Sequence, residues 1–256
     1  MEFLCIPYFR DAALAMKVKN DPNSILLTPQ EAIEAVCLDF HQYKPQILLF
    51  AEILRIVSNN ELVALRERGK DGFWIRQGGQ HRMHWFEGPE LVQAMCEIIR
   101  RRNPDPPLIA ALCARVFQTR AILDVNAETT RTGIRIFTGM EDFLCRQCGR
   151  CCRTLDYRSE ITAEDVARWK QLGRKDILAW VGVFDKKDSE PVYRIWMKPG
   201  TREFADPCPF LFQSPAEEQR WFCRIHDVKP EICRQYPVSR KHGIMTGCRG
   251  FRHKKV

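Results

Sequence analysis

With 256 residues, 45% of them apolar, and no low-complexity tract, the chain has material for a buried core in one large or two ordinary domains, which excludes a disordered or fibrous protein. The net charge of +8 is uneven: residues 1–140 carry 17 Lys and Arg against 16 Asp and Glu, residues 141–256 carry 23 against 16. The longest apolar stretch, Ile47 to Val57, is broken by Glu52 and Arg55 and falls short of the roughly 18 residues that a membrane helix needs.

The start, Met1 to Pro7, lacks a basic segment followed by a small-residue cleavage site, so a reducing cytoplasm is the expected compartment. Thr28-Pro29-Gln30-Glu31 combines an N-cap, proline at the first helical position and a capping-box glutamate. Ile33, Val36, Cys37 and Phe40 follow at helical spacing and form one apolar stripe, which Pro45 ends. Gln46 to Val57 and Asn60 to Arg68 are predicted as two more helices, and Gly72 to Phe86 as a hairpin around Gly78-Gly79. Pro89 to Arg102 and Leu108 to Ile122 are predicted helices, separated by Asn103-Pro104-Asp105-Pro106-Pro107. Cys37, Cys96 and Cys113 each fall on an apolar stripe, where a cysteine acts as a small buried hydrophobe, and Cys5 between Leu4 and Ile6 is read alike.

Residues 123–140 read as a connection with a short strand at Ile134 to Thr138. Beyond it, Thr162-Ala163-Glu164-Asp165 caps a short helix to Leu172, Asp176 to Val181 adds another, and Pro191 to Lys198 suits a strand. From Arg202 on, the text is rich in Pro and Cys and poor in periodicity, so order must come from another source, and metal ligation supplies one. The expectation is therefore a mainly α protein: a helical domain over residues 1–140, then a small, irregular α+β cysteine-rich domain over 141–256 that metal orders.

Eight of the 12 cysteines fall in the last 112 residues. Cys145, Cys148, Cys151 and Cys152 occupy eight consecutive positions, too dense for unstrained disulfides and well spaced for a thiophilic ion. Two intervening residues let both thiolates of a knuckle reach one ion at about 2.3 Å, and a third step wraps three ligands round one centre, as in ferredoxin loops. Gly149 relieves crowding where the backbone folds back. Side chains of adjacent residues diverge, so Cys152 either serves a second centre, bridges two, or stays free as a reactive thiol. The distal candidates are Cys208 between two prolines, the knuckle Cys223-Arg224-Ile225-His226, Cys233 in a helical turn bracketed by Pro230 and Pro237, and Cys248 after Gly247. Eight thiolates and His226 suffice for two four-ligand sites, or for one four-iron cluster and one zinc.

Together the motifs Cys145-x2-Cys148-Gly149-x-Cys151-Cys152-Arg153, Cys208-Pro209-Phe210-Leu211, Cys223-x2-His226, Lys229-Pro230-x2-Cys233-Arg234-x-Tyr236-Pro237 and Gly247-Cys248 resemble the YkgJ-like proteins with a CxxCxxCC domain. That resemblance covers about residues 141–250 and implies thiolate binding of zinc or iron. The expected function is a metalloprotein whose C-terminal domain is ordered by zinc or an iron–sulfur cluster, acting as a binding, carrier or accessory module. Flagellin lysine methylases share a similar cluster, which makes an iron–sulfur-dependent protein-modifying enzyme the alternative, with Arg234 and Tyr236 near its site.

The basic excess of the cysteine-rich half offsets thiolate charge or receives an acidic or protein partner; its aromatics are not interleaved as a nucleic-acid platform requires. His81 and His84 lack companion ligands, and Arg100-Arg101-Arg102 suits a helix C-terminus. Asp124 and Glu128 share a possible helix face of ordinary character. The chain has no glycine-rich phosphate loop, GxSxG elbow or HExxH motif.

Overall fold

The computed structural model describes residues 23–42, 46–58, 63–76, 81–125, 132–155, 161–184 and 191–251. Cys5, the tail at His253 to Lys255, Glu128 and Gly78-Gly79 lie outside them. The described residues fall into two compact units, divided between Gly139 and Met140.

The first unit contains β1 (Ser24–Leu27), α1 (Pro29–Gln42), α2 (Ile47–Val57), β2 (Val63–Arg66), β3 (Gly72–Arg76), β4 (His84–Glu87), α3 (Gly88–Arg102), α4 (Pro106–Val116), β5 (Ala121–Val125) and β6 (Thr132–Phe137). Helix α1 starts where its capping box requires. The Glu31 N–H donates to Thr28 Oγ1 at 3.2 Å, and the Thr28 N–H donates to Glu31 Oε2 at 2.8 Å. Asp105 caps α4 by accepting from the Leu108 N–H at 3.0 Å. Strand β6 is the centre of an antiparallel sheet ordered β1-β6-β5, with Leu27 opposite Ile134 and Ala121 opposite Ile136. A second antiparallel sheet, β2-β3-β4, packs on α3.

Between helices and sheets lies one core, with Ile53, Leu54, Leu91, Met95, Ile99, Cys113 and Ile134 fully enclosed. Phe50 stacks on Phe73 at 5.6 Å and meets Phe40 edge-on at 6.1 Å. Each such side chain contributes about 1.5–3 kcal/mol by leaving water. Cys37, Cys96 and Cys113 are 2%, 1% and 0% exposed within this core, which settles them as packing residues.

The expected mainly α fold is corrected here. About 41% of the described residues are helical and 21% are strand, in four small sheets, so the protein is mixed α+β and its N-terminal half combines helices with two sheets. Val63–Arg66 is a strand because pairing with β3 satisfies its backbone and seats Ala64 against the core, although its residue types favour helix. Helix α4 stops at Val116, and the apolar run that continues it is β5, paired along its length with β6. Asp124 therefore sits on a strand and holds Arg135 across it.

The second unit has short elements: α5 (Arg150–Thr154), α6 (Ala163–Gln171), α7 (Lys175–Leu178), β7 (Gly182–Phe184), β8 (Val192–Arg194), β9 (Leu211–Gln213), β10 (Trp221–Cys223), α8 (Glu231–Gln235) and α9 (Arg240–Met245). Strands β7 and β8 pair antiparallel, as do β9 and β10. Thr162 caps α6, accepting from the Asp165 N–H at 3.2 Å. A small core of Trp169, Ile177, Ile195, Trp196, Phe210 and Ile225 holds the unit, with Trp196 edge-on to Phe210 at 4.8 Å. Cys208 and Cys223 pack against this core.

Candidate metal centre

The loop that carries Cys145 and Cys148 is pinned at both ends. The Leu144 N–H donates to the Gly250 carbonyl at 2.9 Å, and the Trp221 N–H donates to the Gln147 carbonyl at 2.7 Å. Gly149 then turns the chain into α5 with φ of 64°, a left-handed conformation that favours glycine. The turn also runs so close to Trp221 that a Cβ would lie 2.8 Å from its Cγ. Helix α5 presents Cys151 and Cys152, whose sulfurs are 3.9 Å apart. That separation is near the roughly 3.8 Å edge of a tetrahedron built with metal–sulfur bonds of about 2.3 Å.

Three further segments bring thiols to the same place. The Cys208 N–H donates to the Cys152 carbonyl at 3.1 Å, which fixes the proline-flanked turn against α5. Cys223 ends β10 in register with Leu211. Cys233 lies on α8, whose first N–H, that of Glu231, donates to both carboxylate oxygens of buried Asp165 at 3.0 Å. Asp165 is 2% exposed and also holds Arg168 at 3.0 Å. It therefore anchors the helix that carries Cys233, although the sequence marked it only as part of a helix cap.

Cys151, Cys152, Cys208, Cys223 and Cys233 together line one cavity of about 190 Å³, with Asp206, Lys229 and Tyr236 also on its wall. Cys248 is within electrostatic reach of Cys145, Cys148 and Cys151, so these thiols form a second grouping that adjoins the first through Cys151. Its turn is held by a Cys248 N–H donating to the Gly243 carbonyl at 2.7 Å. His226 is exposed, in a short 3-10 turn after Cys223, and is not on the cavity wall. Among the described residues, no three His, Cys, Asp or Glu side chains gather closely enough to hold a single ion. The sulfurs thus surround a space rather than meet at a point. His81 and His84 are exposed and likewise belong to no such group.

The electrostatics of the cavity suit a cation. Hydrogen bonding to Cys152, then burial, raises the Cys151 thiol far above its usual range. For Cys152 the bond with Cys151 acts downward, but that with Cys208, together with burial, pushes the thiol up to about 12. Burial raises Cys233, Cys223 and Cys248 as well, with neighbouring sulfurs adding to the effect. A soft cation would supply the positive charge that lets such buried sulfurs ligate as thiolates. The donor set, all sulfur and partly desolvated, fits zinc or iron and not a hard oxygen-seeking ion.

Residues 144–249 match the CxxCxxCC family model, described as a "putative zinc- or iron-chelating domain". No curated protein and no solved structure shows significant similarity to the chain. No helix among the described residues is long and apolar enough to cross a membrane.

Proposed function

We propose that the protein is a metal-binding protein whose C-terminal domain, residues 141–256, is folded around zinc or iron, and that it acts as a binding or accessory module beside a separate domain over residues 1–140. One observation carries this reading: five cysteines from four separated segments line a single cavity. Chance packing of apolar thiols does not require a proline-flanked turn, a strand end and two helices to deliver cysteine to one wall.

In this reading Cys151, Cys152, Cys208, Cys223 and Cys233 supply the ligands of one centre. Cys145, Cys148 and Cys248 serve a second centre or complete the first, with His226 as an additional donor. Bound metal would cross-link segments that have little apolar periodicity of their own, and structural zinc supplies on the order of 10 kcal/mol to such folds. Lys229 offsets thiolate charge in this cavity, and the free thiols call for a reducing compartment such as the cytoplasm.

The test is elemental analysis and visible spectroscopy of anaerobically purified protein. Zinc or iron at one or more ions per chain is expected, with sulfur-to-iron absorption if the metal is an iron–sulfur cluster. Cys233→Ser should lower that content severalfold. Protein free of both metals, or with the eight cysteines joined in disulfides, would refute the proposal.

A further inference from the structure

We infer that a second cavity, which shares Arg153 and Thr154 with the first, binds the phosphate group of a small molecule. This cavity, about 220 Å³, is lined by Cys148, Arg150, Arg153, Thr154 and Arg249. Three of its five residues carry a guanidinium and none carries a carboxylate.

The arginines are placed in different ways. Arg153 is held rigidly: its Nη2 donates to the Cys148 carbonyl at 2.9 Å, and its guanidinium lies 4.8 Å from the centre of the Trp221 ring. Arg150 lies flat against Gly247, so close that a Cβ there would be 2.7 Å from Nη2. Gly247 has φ of 74°, so a side chain at that position is disfavoured on both counts. Arg249 arrives from the segment after Cys248, two residues beyond that glycine. Thr154 adds a hydroxyl on the same wall.

Elsewhere in the protein guanidinium groups hold carboxylates: Arg100 with Glu34 at 2.7 Å, Arg115 with Glu52 at 2.7 Å and Arg174 with Asp176 at 2.8 Å. Among the described residues, Arg150, Arg153 and Arg249 have no carboxylate within ion-pair distance. Three like charges carried by the side chains of one small cavity repel one another, and a shared anion relieves that repulsion. A single carboxylate satisfies one guanidinium fork, whereas a tetrahedral phosphate offers oxygens to all three. Fixed cations supply the attraction, and because Cys148, a proposed ligand, shares this wall, the test must separate phosphate held by arginine from phosphate held by metal.

The experiment is calorimetric titration of inorganic phosphate into the full-length protein at low ionic strength, with zinc and iron measured in every sample. Saturable one-site binding is expected for the native protein, weakening as salt screens the charges. Arg150→Gln and Arg249→Gln should each weaken it about tenfold or more, with metal content and melting temperature unchanged. Arg249→Lys should recover part of the loss, and Arg146→Gln, outside the cavity, should have no effect. The inference is overturned if the native protein does not bind phosphate or binds acetate as tightly. It is also overturned if the glutamine variants bind like the native protein, which would place phosphate on the metal, or if they lose their metal.

Discussion

Two buried polar side chains of the C-terminal unit carry consequences of their own. Asp165 spans from α6 to the first turn of α8, and an amide in its place would keep one acceptor but lose the charge that holds Arg168. Asp165→Asn is expected to cost about 2–3 kcal/mol in denaturant unfolding of this unit, in the range of hydrogen bonds to charged groups. Because Asp165 positions Cys233, metal affinity should fall as well. A variant with native metal affinity and native stability would show that α8 is held by other means. His242 is 7% exposed, and burial lowers its pKa from 6.5 to about 4, with the Val238 N–H directed at Nδ1 at 3.4 Å. The unfolded chain takes up this proton as pH drops below about 6.5, whereas the folded chain does so only near 4. Stability from His242 is therefore complete above pH 6.5 and lost as pH falls towards 4, by at most about 3 kcal/mol. His242→Asn should flatten the stability profile across that interval, a difference read by unfolding native and variant protein side by side.

Among the elements, α5 is the hinge of the candidate site. Its Cys151 and Cys152 line one cavity, its Arg150 lines the other, and Arg153 and Thr154 line both. Its start depends on Gly149, where a left-handed turn meets Trp221. Gly149→Ala adds a conformational cost of about 1–2 kcal/mol to a steric clash, so a fall of at least that size in the stability of this unit is expected. An unchanged melting curve would mean that the loop relaxes freely. Helical elements with a complete local code were legible from the residues: the Thr28–Glu31 box, the Ile33-Val36-Cys37-Phe40 stripe and the Thr162 cap all recur in the structure. Strand identity was less so. Leu62-Val63-Ala64-Leu65 and Ala121-Ile122-Leu123 combine apolar runs with helix-forming neighbours, and what makes strands of Val63–Arg66 and Ala121–Val125 is antiparallel pairing with the next strand along the chain. Strand β1 is harder still to read locally, since its partner β6 belongs to the far end of the same unit. For the site, the spacing picked out the thiols, but only the fold groups them by cavity and brings in Lys229, Asp206 and Asp165.

At the scale of the whole molecule, the two units differ in what holds them. The first encloses a continuous apolar core between helices and two sheets. The second has a smaller core, helices of nine residues or fewer and two-stranded sheets, and isolated hairpins of that size are marginal in water. Under the proposed function, metal coordination by the cysteines of residues 145–248 supplies the stability that this unit's small core lacks. Hydrogen–deuterium exchange on the full-length protein, before and after chelator treatment under reducing conditions, tests it most directly. Loss of protection across residues 145–248, with residues 23–137 unchanged, is the predicted result. Equal protection in both units after the metal is removed would contradict it.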